Sequence, residues 1–247
     1  MINNSEIQEQ TIKQQINIDT IIERFNQRYI IKKRINAIIC FFIAICGVSA
    51  VLYSIYVNGM VLIDRLRYMT FNATIFTSIV SFIFAIICLV EASERFEVTN
   101  RGAYFLRLSS AVTELIILSV VLFGLTSLVP DHPDVTSFTG CIMHIIIPIV
   151  TVLSFILNDA PIGQLKPWEL LYGTWFTTIY VFVMFLLFKS GKLKPSQAPY
   201  SFMNFEKASV GYILSCLFGV YFVGCISAAF LSYLNRKYSW IWFQHIT

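Results

Sequence analysis

Thr70 and His144 are the pair in this 247-residue sequence whose types and placing suit them to chemistry. Thr70 opens one long apolar run, and His144 lies near the start of another, where it is the only histidine within an apolar run. On inward faces at one depth, a hydroxyl and an imidazole can act as nucleophile and general base. Glu114 is the third candidate, about 15 Å along its own run at 1.5 Å per residue. Ser110 and Thr113 lie on its side of that helix. Such a carboxyl could orient a catalytic group, relay a proton or bind a cation. Each of the three also has a plain packing role, as a hydrogen-bonded polar group inside a helix bundle.

Positioning these groups is the task of six runs long enough to cross a bilayer, which needs about 20 apolar residues per helix. They are Ile35 to Val57, Tyr68 to Val90, Tyr104 to Val129, Cys141 to Leu157, Trp168 to Phe188 and Gly211 to Leu234. The composition agrees: 57% hydrophobic and only 13% charged, with a mean hydropathy of +0.70. Soluble domains carry about 25% charged residues. The runs are continuous rather than alternating, which excludes a β-barrel reading. The expected fold is therefore all-α, a polytopic bundle of about six transmembrane helices. Residues 1–34 form a basic, amphipathic N-terminal segment, 35–234 the membrane domain, and 235–247 a tail.

Charge placement suggests an orientation. With the N-terminus cytoplasmic, the inner segments hold twelve Lys and Arg and the outer ones six, so both termini of a multi-pass cell-membrane protein are expected inside. No secretory signal peptide precedes the first run. The net charge of +4 gathers beside the spans and does not point to nucleic acid; membrane lipid is the expected partner. Ile18, Ile21, Ile22, Phe25 and Tyr29 recur at helical spacing, with Arg24, Arg28, Lys32 and Lys33 on the remaining surface. That pattern suits a helix lying on an anionic leaflet. The six cysteines form no CxxC pair, and no metal or cofactor is implied. Oligomeric state is not legible.

Polar residues map the interior, because lipid penalises them elsewhere. Thr70, Thr74, Thr77 and Ser81 fall within about 60° of one another on a helical wheel, an inward hydroxylated stripe. His144, Pro148 and Thr151 share a face of the fourth span. Gly211, Ser215 and Gly219 form a small-residue ladder expected to pack helices. The segment from Lys189 to Val210, with Pro195 and Pro199, reads as an ordered loop or lid on the outer side.

Four stretches occur in order: RYMTFNATIF (67–76), YFLRLSSAVTELIILS (104–119), HIIIPIVTVLSFIL (144–157) and PYSFMNFEKASVGY (199–212). Together they resemble the androgen-induced-gene family of six-helix membrane proteins, with the closer likeness to its bacterial branch. Animal members of that family are intramembrane threonine hydrolases acting on fatty-acid esters of hydroxy fatty acids. The resemblance implies Thr70 as nucleophile and His144 as its base. It departs at three places: Thr74 stands where bacterial relatives often have Asn, Asn204 where they often have an acid, and Gly173 follows Tyr172 where a Pro is expected.

Two functions follow. The first is an intramembrane hydrolase of ester bonds in lipid-like substrates, with Thr70 and His144 catalytic and Thr74, Glu114, Tyr200 and Asn204 supporting. The second is a non-enzymatic membrane protein, a transporter or scaffold, with Glu114 as an intramembrane ion or proton site. Against the second, the sequence offers no inverted repeat and no paired opposite charge within the bundle.

Overall fold

The computed structural model describes residues 4–56, 66–94, 101–122, 137–159, 165–200, 203–205 and 208–244. These residues are helical, with no strand among them. Six helices are long and apolar enough to span a bilayer. Their α-helical parts are α1 (Asn4–Tyr56), α2 (Met69–Glu94), α3 (Arg101–Val120), α4 (Ile147–Asn158), α5 (Trp175–Lys189) and α6 (Val210–Gln244), the fourth span running Phe138–Leu157 and the fifth Pro167–Lys189. A turn at Phe138–Cys141 and a π-helical stretch at Ile142–Ile146 lead into α4, and a 3-10 stretch at Pro167–Thr174 leads into α5.

Helix α1 runs unbroken from Asn4 to Tyr56, through the position where the expected N-terminal segment meets the first span. Nothing between Ile30 and Asn36 breaks a helix, since neither Gly nor Pro occurs there. Likewise α6 continues to Gln244 through the expected tail. The side chains of Ile18, Ile21 and Phe25, the end of the third run beyond Leu122, and His132 and His245 lie outside the described residues.

The longest seam joins α1 to α2 as antiparallel neighbours. Ala37 and Cys40 pack on Phe84, Ala85 and Cys88. At the other end Ala50 and Val51 meet Phe71 and Met143. Gly47 lies so close to α2 that a Cβ there would collide with the Ser78 hydroxyl. Helix α3 is central: Leu108, Ala111 and Val112 are fully buried against Phe155, Ala228 and Leu231. Such contacts between small residues let helices approach where lipid supplies no hydrophobic drive.

The predicted packing ladder of α6 is not one. A Cβ added at Gly211 or Gly219 would meet open space, and Ser215 is exposed. The close approaches lie elsewhere. A Cβ at Gly173 would come within 2.8 Å of Ala228, and one at Gly224 within 2.5 Å of Thr174. Among the described side chains of α6, the close approaches therefore fall from Gly224 onward and not on the stretch that holds Gly211 and Gly219.

Candidate functional site

The hydroxyl stripe of α2 turns inward as its spacing requires. Thr74, Thr77 and Ser81 are fully buried, and Thr70 at the mouth is half-buried. Two of the hydroxyls serve their own helix: Thr74 donates to the Thr70 carbonyl at 2.9 Å and Ser78 to the Thr74 carbonyl at 2.7 Å. Such back-bonding satisfies a hydroxyl that lipid would not. Thr77 instead reaches across, donating to Glu114 Oε1 at 2.7 Å, and Ser110 donates to Thr77 Oγ1 at 3.1 Å. A relay of two hydroxyls thus ends on one carboxyl oxygen.

Glu114 is fully buried, and its Oε2 has no hydrogen-bond partner among the described residues. The hydroxyls of Ser109, Thr113, Thr151 and Thr177 are also buried without a partner among them. Thr113, expected beside Glu114, therefore makes no bond to it, while Ser110 serves it through Thr77. A buried carboxylate without a counter-charge is costly in a low-dielectric interior. Its charge must be cancelled by a proton or a cation.

Two turns along α3, on the same face, stands Arg107, about 10 Å from Glu114 along the axis. Its guanidinium is fully buried, and each of its three nitrogens has a partner. Nε donates to Asp159 Oδ2 at 3.0 Å, Nη2 to Ser154 at 2.9 Å and Nη1 to Ser81 at 3.3 Å. Asn36 closes the ring, donating to Asp159 Oδ1 at 2.9 Å and accepting from Ser154 at 3.0 Å. Asn235 of α6 joins it by donating to the carbonyls of Phe155 and Asp159, both at 2.8 Å. One turn outward, Lys33 pairs with Glu91, both buried.

These charges correct the sequence reading twice. Lys33 was expected on the solvated surface of the N-terminal segment and Arg107 lies early in the third run, yet both are buried and paired. Glu91, Asp159 and Glu169 are buried too, so Glu114 is not alone. Opposite charges are paired inside the bundle after all. Sequence spacing could not reveal it, because Arg107 and Asp159 lie 52 positions apart and the span-end locations of these charges read as solvent-facing.

His144 sits in the π-helical stretch, whose cause is local. Pro148 has no N–H to offer the His144 carbonyl four residues back, and its ring crowds that carbonyl. The helix widens in response, and Ile147 N–H bonds to Ile142, five residues back. Turns of this kind recur at functional sites. The π stretch packs against α1, α2 and α3. Phe71 and Ile75 meet Ile142 and Met143, so the first turns of α2, where Thr70 lies, touch the stretch that carries His144.

The Lys189–Val210 segment is built as an ordered cap wherever it is described. Leu193 and Met203 are buried against Tyr180, Met184 and Phe188. Arg67 donates to the Gln197 carbonyl at 3.2 Å, and the Tyr180 hydroxyl donates to the Arg67 carbonyl. Tyr200 lies with its hydroxyl on the Met69 backbone, and burial holds that phenol above its ordinary range. Asn204 donates to the Pro195 carbonyl at 3.2 Å, a bond within the loop. Asn72, on the far side of α2, caps back onto the Leu66 and Tyr68 carbonyls.

The six cysteines are free, and no group of three His, Cys, Asp or Glu among the described residues is placed to hold a metal ion. Neither a protein-family model, nor a curated protein, nor a solved structure matches the chain.

Proposed function

We propose that this polytopic membrane helix bundle is a non-enzymatic membrane protein of transporter type, with Glu114 as its intramembrane proton or ion site. One observation carries the reading. Glu114 is a fully buried carboxyl with one oxygen fed by a Ser110–Thr77 relay and the other without a partner among the described residues. Intramembrane ionisable groups of this kind mark ion and proton pathways. The buried Arg107–Asp159 and Lys33–Glu91 pairs support it, since paired intramembrane charges belong to the same class of protein.

Infrared spectroscopy of the reconstituted protein tests this. A carboxylic-acid carbonyl band that shifts in deuterated water and changes with bulk pH is expected in the wild type and absent from Glu114→Gln. A band indifferent to pH means a sealed, structural acid. A band that persists in Glu114→Gln belongs to another group. Either result ends the proposal.

The contact between the first turns of α2 and the π stretch favours a second reading. In it Thr70 attacks an ester carbonyl of a lipid-like substrate and His144 takes its proton, returning it to the leaving alcohol. A covalent hydrolase probe that labels the wild type but not Thr70→Ala would support this reading; labelling unchanged in Thr70→Ala would remove it.

A further inference from the structure

A groove of about 440 Å³ opens on the side of the bundle between the first turns of α3 and the 3-10 stretch that leads into α5. Small-molecule pockets span about 300–1,000 Å³. Its wall is a ladder of rings: Phe105 against Tyr172 at 4.6 Å, then Tyr172 against Trp168 at 5.8 Å. Trp175 and Leu106 complete the apolar floor. A cation stands at each end of the ladder. The Arg101 guanidinium lies 5.9 Å from the Phe105 ring, and the Lys166 ammonium lies 5.9 Å from the Trp168 ring.

Glu169 decides how Arg101 is presented. Its carboxylate is buried, held by the Lys166 backbone N–H at 2.7 Å, and takes Arg101 Nη2 on both oxygens at 2.5 and 2.6 Å. Both bonds use a single nitrogen. The Nη1–Nε edge of the guanidinium, the edge that fits a phosphate in fork geometry, is not used by Glu169, on a side chain 51% exposed. Arg101 and Lys166 against Glu169 leave the mouth of the groove with one net positive charge.

The groove also lies at the right depth for one occupant. Arg101 begins the third span and Pro167 the fifth, so its mouth stands at the membrane–water boundary, where Trp and Tyr rings gather. This is the end of the bundle that also carries the basic residues Arg28, Lys32, Arg34, Arg236 and Lys237. An apolar trough beneath a phosphate-shaped cation edge, at that depth, matches a lipid with a negatively charged headgroup.

We propose that this groove binds an anionic phospholipid, its phosphate on Arg101 with Lys166 beside it and an acyl chain along Phe105, Leu106, Tyr172 and Trp175. Glu169 is a positioning residue that fixes the guanidinium. The site is independent of Glu114 and of the Thr70–His144 pair.

Tryptophan quenching by brominated lipids tests it on the full chain. The protein is reconstituted in phosphatidylcholine vesicles carrying an equal minor fraction of brominated phosphatidylglycerol or brominated phosphatidylcholine. Phosphatidylglycerol is expected to be preferred about fivefold, the enrichment that one interfacial cation brings. The preference should fall in Lys166→Gln, whose side chain is exposed, and vanish in Arg101→Gln. It should also vanish when Trp168 and Trp175 are both replaced by Phe, because the reporters are then gone from the groove. Equal quenching by the two lipids in the wild type overturns the proposal. So does a preference that survives both Arg101→Gln and Lys166→Gln in protein of unchanged helicity.

Discussion

The bundle holds two polar regions of opposite character on one face of α3. Around Arg107, every nitrogen of a buried guanidinium has a partner, and helices α1, α2, α3, α4 and α6 each contribute to the ring or its links. Around Glu114, two turns away, a carboxyl has one bonded oxygen and one unpartnered among the described residues. Satisfied networks rigidify and specify a single arrangement, whereas incomplete ones carry cost that something else must offset. The first region is therefore the pin of the fold, and the second is an incomplete network built around one carboxyl.

The contrast is testable by breaking each side. Arg107→Met strands Asp159 in the interior, and removing one partner of a buried ion pair costs about 3–5 kcal/mol. Thermal unfolding in detergent should fall accordingly, and Arg107→Met combined with Asp159→Leu should recover much of the loss. If the single variant is as stable as wild type, the ring is not a pin.

Next in size is the seam that holds α6 to that pin. Gly224→Ala forces a Cβ onto Thr174 and should cost about 1–3 kcal/mol by overpacking, read in the same melts.

Glu114→Gln should change stability by no more than about 1 kcal/mol, because the amide oxygen still accepts from Thr77. A loss as large as that of Arg107→Met would make Glu114 part of the same pin and erase the contrast. Smallest of all, Gly219→Ala should stay within about 0.5 kcal/mol of wild type, since a Cβ there meets open space.

What could be read from the sequence follows the range of the interaction. The six spans and the inward stripe of α2 depend on local periodicity, and the helices carry them as expected. Ser110 beside Glu114 was legible for the same reason. The bond from Thr77 to Glu114 was not, because it joins residues 37 positions apart across two helices. Arg107, Lys33, Glu91 and Asp159 were hidden by position: near span ends a charge reads as solvated, and only the tertiary fold shows which of them turn inward. Gly211, Ser215 and Gly219 misled in the reverse sense, since small-residue spacing announces a close approach without naming a neighbour. Gly173 and Gly224, which do meet neighbours, lay outside that ladder.

The uneven packing of α6 has a mechanical consequence. Asn235 fastens the helix by two bonds to carbonyls of the α4 end, while Val210, Leu214 and Phe218 at the far end are 72%, 60% and 72% exposed. Gly224 against Thr174 is a second hold, so the 14 residues from Val210 to Gly224 are the free arm, about 21 Å long at the helical rise. A helix held along one part and borne by lipid at the other is a cantilever. A tilt of about 10° about that hold would carry its free tip about 4 Å by that length, drawing the attached loop with it.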